Sequence, residues 1–115
     1  MNLEPQVLRA PAKPGLGDTF LGSGANFPWL VAALRHKKPD EFREWISHVR
    51  TALPDVAGIH IEERPEDRHC YLALQYSGGL DVPSWCLSEG TLCLLALTFL
   101  PYWSDSGSVY LVEEP

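Results

Sequence analysis

Between residues 92 and 100 the chain reads Leu-Cys-Leu-Leu-Ala-Leu-Thr-Phe-Leu, so a helix through this stretch is apolar on nearly every side. Such a helix has no face to offer water, and it is expected to be buried over most of its surface at the centre of the fold. Thr98 and Pro101 interrupt the run, which is far below the roughly 20 apolar residues that cross a bilayer, so no membrane partner is expected. The remaining residues must supply layers around one central helix. With 115 residues, 45% of them apolar, and 4 Trp, 4 Tyr and 4 Phe, they suffice for one domain with a modest core. This is not the composition of a disordered tail.

Upstream, residues 1–27 carry Pro5, Pro11 and Pro14 among several glycines and are read as an extended lead followed by turns. Residues 28–54 form a helical segment. Asn26 suits a cap and Pro28 a first helical position, and Trp29, Leu30, Ala33 and Leu34 recur at helical spacing. The first helix ends in the basic run Arg35, His36, Lys37 and Lys38. Pro39, Asp40 and Glu41 then open a second, striped by Phe42, Trp45, Ile46, Val49, Ala52 and Leu53 and stopped by Pro54. In 55–86 the period changes to two. Val56, Ile59 and Ile61, then Cys70, Leu72, Leu74 and Tyr76, bracket an acidic turn, which is the pattern of a hairpin. Tyr71, Ala73 and Gln75 fall on the reverse face of the second arm, and Pro83 confines the next segment to an edge strand or a loop.

The last segment, 87–115, carries the chemistry. Leu87, Ser88, Glu89, Gly90 and Thr91 precede the apolar helix: a hydroxyl at the cap, a glycine permitting close approach, and free backbone donors of the kind that attract phosphate oxygens. The plain alternative is that Ser88 or Thr91 only caps its own helix. Beyond the helix, Val109, Tyr110, Leu111 and Val112 read as a strand buried on both faces, and it runs directly into Glu113, Glu114 and Pro115. Carboxylates beside a core need a metal, a cation or donors to keep their charge. A magnesium ligand and a group that activates water are the expected roles at such a strand end, with a solvated turn as the alternative.

Taken in order, the turn, Leu-Ser-Glu-Gly-Thr, hydrophobic helix, hydrophobic strand and Glu-Glu-Pro resemble the ATPase heads of the ABC type, nearest the RecF- and SMC-like branch with its bacterial AAA-labelled ABC-like ATPases. The resemblance implies an α/β fold, part of a P-loop NTPase head in which a helical segment and a β-hairpin precede the buried helix and a core strand. It makes Leu87, Ser88, Glu89, Gly90 and Thr91 the signature motif, 109–112 the Walker B strand, Glu113 the magnesium-associated acid and Glu114 the catalytic glutamate. ATP and Mg2+ are the implied cofactors. A second head, in a homodimer or from a related subunit, is the implied partner, and some relatives act on nucleic acid. The chain contains no Gly-Lys-Ser or Gly-Lys-Thr; Gly22, Ser23 and Gly24 lack the lysine. It is therefore read as a fragment of a head, inactive alone and in need of the missing parts. The alternative is a non-enzymatic protein-binding or regulatory module derived from such a head.

The other groupings are weaker. His60, His69 and Cys70 with Glu62 and Glu63 contain metal-ligand types, but alternation separates His69 from Cys70 and the spacing fits no zinc pattern. Cys86 and Cys93 offer no more, and a cysteine nucleophile would need a base such as His36 or His48 beside it. The odd count of 3 Cys and the absence of a signal-peptide pattern point to reduced thiols in the cytoplasm. A net charge of -6 gives no general affinity for nucleic acid, although Arg35, Lys37, Lys38, Arg43 and Arg50 could meet a phosphate locally. Trp29 and Trp45 read as packing residues, and Trp85 as packing or stacking.

Overall fold

The computed structural model describes residues 3–15 and 24–103. Five helical or 3-10 elements and three strands follow one another: α1 Pro5–Arg9, α2 Phe27–Lys37, α3 Pro39–Ala52, β1 Val56–Glu63, β2 Cys70–Tyr76, β3 Asp81–Pro83, a 3-10 turn Ser84–Cys86, and α4 Glu89–Trp103. The strands form one antiparallel sheet in the order β1-β2-β3, and the helices cover one of its faces. The result is a mixed α/β domain with a small antiparallel sheet.

The core is built where the apolar stripes meet. Phe27, Leu30, Val31 and Leu34 of α2, Phe42, Trp45 and Val49 of α3, and Leu92, Leu95, Ala96, Phe99 and Leu100 of α4 are all buried. Trp45 lies at the junction of the three helices, with ring centroids 5.2 Å from Phe99, 6.2 Å from Phe27 and 6.0 Å from Phe42. Its indole N–H donates to Thr98 Oγ1 at 3.0 Å, which explains the one polar residue in the apolar run. Thr98 Oγ1 donates in turn to the Leu94 carbonyl at 2.7 Å.

The hairpin solves a register problem. Val56 and Ile59 are three residues apart and would face opposite ways in a regular strand. The pairing runs Val56 to Tyr76 and then Gly58 to Gln75, so Ala57 is an extra residue in a bulge. Val56, Ile59 and Ile61 thereby all turn toward the helices, opposite Tyr76, Leu74 and Leu72.

Two sequence expectations change. The extended lead contains the helix α1, opened by Pro5 and anchored by buried Leu8. The chain then bridges β2 through Ala12 and Cys70. Leu8 also explains Gly24, whose φ is +90° and where a Cβ would stand 2.5 Å from Leu8 Cδ2, so a side chain there would strain the backbone and displace Leu8. Helix α4 does not stop before Pro101 but continues to Trp103. Pro101 removes one hydrogen bond, and the last turn is held by packing instead, with Trp103 stacked on Phe99 at 5.8 Å and Tyr102 edge-on to His48 at 6.3 Å. As expected, α4 is buried over most of 92–100, where Leu97 alone is exposed, at 48%, among the described residues. The strand expected at 109–112 lies outside the described residues, as do Glu113 and Glu114.

Candidate functional site at the start of the central helix

Ser88 is the N-cap of α4. Its Oγ accepts from the Thr91 N–H at 3.1 Å and donates to Thr91 Oγ1 at 2.9 Å, and its carbonyl accepts from the Leu92 N–H at 3.0 Å. Both hydroxyls are therefore used within the helix end, as the plain reading holds. The amides of Glu89 and Gly90 have no acceptor among the described residues, and both residues are exposed. Together with the positive end of the helix dipole they form a donor surface suited to an anion.

Gly90 has no local reason to be glycine. It lies in the first helical turn, a Cβ there would meet nothing within 4 Å, and its φ is not positive. Glycine in place of alanine costs a helix roughly 0.5–1 kcal/mol, and nothing in the described structure offsets that cost.

The connection into this helix end is held by residues that sequence reasoning missed. Arg9, at the end of α1, directs Nε and Nη2 onto the Leu87 carbonyl at 3.3 and 3.2 Å. Buried Ser84 donates from Oγ to the Arg9 carbonyl at 2.8 Å, closing the clamp from the other side. Leu87 itself is buried, so the turn is fixed by its side chain below and by Arg9 above. No local pattern connects residues 78 apart, and Pro5, which opens α1, reads in the sequence as a mark of the extended lead. Arg9→Ala should cost about 1–3 kcal/mol, as lost hydrogen bonds to a charged group do, and accelerate amide exchange at Thr91 and Leu92, whose N–H groups bond to Ser88. Urea denaturation and hydrogen exchange check this; unchanged exchange there would mean that the clamp does not hold the turn.

The other cysteine and histidine groupings are dispersed. Cys70 is buried, and burial first, then nearby Glu63, pushes its thiol up to about 12, so it stays protonated at neutral pH and is a poor nucleophile. Cys86 and Cys93 are free, and neither is fully buried. His69 belongs to the hairpin turn. Its backbone N–H donates to Asp67 Oδ1 at 3.0 Å, the principal cause that holds Asp67 below its usual range, and Arg64 pairs with the same carboxylate. Among the described residues no group of three or more His, Cys, Asp or Glu could hold a metal ion, and no helix is long and apolar enough to cross a membrane. Comparison with protein-family models, curated proteins and solved structures finds no match to this chain.

Proposed function

We propose that this chain is part of an ABC-type ATPase head that binds and hydrolyses ATP, contributing Leu87, Ser88, Glu89, Gly90 and Thr91 as its signature and Glu113 and Glu114 as its carboxylates. Gly90 carries the reading. An exposed helix start with two amides unpaired among the described residues, and a glycine that its described surroundings do not require, is what close approach by an external phosphate would select. In the family this reading rests on, the nucleotide is held by the glycine loop of a second head, and the signature closes over its γ-phosphate. Ser88, already oriented by Thr91, then lines the approach. By the same resemblance Glu113 is associated with Mg2+ and Glu114 positions the attacking water.

The test exploits opposite signs. Gly90→Asp adds an acid to the first helical turn, where the dipole favours it and a Cβ meets no atom within 4 Å, so the domain should become more stable by about 0.5–1 kcal/mol. The same charge facing a γ-phosphate should lower ATP turnover of an intact head by about a hundredfold, comparable to losing one donor to a transition-state oxygen. Thermal denaturation and steady-state turnover measure the two effects. Turnover that is unchanged while stability rises would overturn the assignment.

A further inference from the structure

The bulge that turns Val56, Ile59 and Ile61 inward also determines what the sheet presents on its other face. Across the strands that face runs in rows: Gly58, Gln75 and Asp81; His60, Ala73 and Pro83; Glu62 and Tyr71. Trp85, from the 3-10 turn, leans over the last row, its ring 4.8 Å from that of Tyr71 and tilted by 54°. Ala73, the middle residue of its row, has a small side chain between His60 and Pro83, and it is buried beneath its neighbours. The consequence is a depression of about 240 Å³ with Ala73 as its floor, walled by His60, Glu62, Tyr71, Asp81, Pro83 and Trp85.

The chemistry of these walls selects a cation. Trp85 is 48% exposed, costly for so large an apolar ring, and it lines the depression together with Tyr71. Glu62 and Asp81 stand on either side of the floor. The ion pairs of Asp40, Glu41, Glu63 and Asp67 with Arg or Lys lie elsewhere, and among the described residues Glu62 has no cationic partner and Asp81 has only His60 at 3.9 Å. Two carboxylates repel a phosphate, and the volume falls below the roughly 300–1,000 Å³ of small-molecule pockets, so the space suits a single long side chain. A guanidinium or ammonium satisfies both features, stacking over a ring and pairing with a carboxylate. The net charge of -6 would attract a basic partner to this surface.

We propose that this face of the sheet is a docking site for a partner polypeptide that inserts an arginine or lysine side chain between Trp85 and the carboxylates of Glu62 and Asp81. The proposal does not depend on the nucleotide reading, although Trp85 belongs to the 3-10 turn that leads into α4.

The probe is an acetylated, amidated Gly-Arg-Gly peptide titrated into the full chain and followed by amide chemical shifts, with a citrulline peptide of the same shape as control. Shifts should be confined to residues of the depression, and the citrulline peptide should produce none. Trp85→Ala should weaken binding by about two- to fivefold, the size of an exposed cation–π contact. The double variant Glu62→Gln and Asp81→Asn, both exposed positions, should weaken it further and reduce its salt dependence. An unchanged amide spectrum of each free variant verifies folding. Absence of shifts with the arginine peptide, equal shifts with citrulline, or equal affinity in the variants would each overturn the proposal. So would concentration-dependent shifts without peptide that join the depression to Arg35, His36 and Lys37, because the occupant would then be a second copy.

Discussion

Trp45→Ala should remove about 3–5 kcal/mol of stability, a large fraction of the roughly 5–15 kcal/mol that holds a domain together. The side chain is fully buried where α2, α3 and α4 meet, and three aromatic rings pack on it edge-on or tilted. Deleting it opens a cavity that Phe27, Phe42 and Phe99 cannot fill together, because each is already committed to its own helix. Its hydrogen bond gives an independent check. Thr98→Val keeps the shape of the core but leaves the buried indole N–H without its acceptor, and should cost about 1–3 kcal/mol. Urea denaturation followed by far-UV circular dichroism measures both. A Trp45→Ala loss below about 1 kcal/mol would mean that the three helices do not share this centre.

The largest effect on activity is expected at Glu114. In an intact head that includes a lysine-bearing glycine loop, Glu114→Gln should leave ATP binding in place and reduce hydrolysis by about 10²–10⁴-fold, the range associated with loss of a general base. Glutamine keeps the size and one oxygen of the side chain but cannot take the proton from water. The 115-residue chain alone should show no turnover, because a carboxylate pair without the lysine and its loop cannot hold phosphates in line. Nucleotide titration and steady-state turnover separate the outcomes. Loss of binding with the fold retained, or full hydrolysis by Glu114→Gln, would remove Glu114 from the role of base.

Much of the secondary structure was legible because its signals are local. Pro28 and Pro39 open α2 and α3, and the 3.6-residue stripe of Phe42, Trp45 and Val49 faces the core as its spacing dictates. The period of two in 70–76 likewise gave both faces of β2 in advance. At the start of α4 the pattern of Ser88 and Thr91 specified a capped helix, and the structure places it there.

What the sequence could not reveal depends on contacts between distant residues. Pro101 marks a helix end by local rules, yet α4 continues because Tyr102 and Trp103 find partners on α3 and on α4 itself. Thr98 reads as a break in an apolar run until Trp45, 53 residues away, is seen to need an acceptor. The glycine-rich lead carries α1 because Leu8 finds the core and Arg9 finds Leu87, and neither reward is visible within a short window of sequence. The sheet depression is of the same kind. Alternation placed Tyr71 and Ala73 on one face, but the bulge at Ala57 and the turn that carries Trp85 decided which side chains stand beside them. Propensity and periodicity act over a few residues, so they determine elements and their apolar faces; register, clamps and cavities arise when those faces meet, and only the tertiary structure decided them.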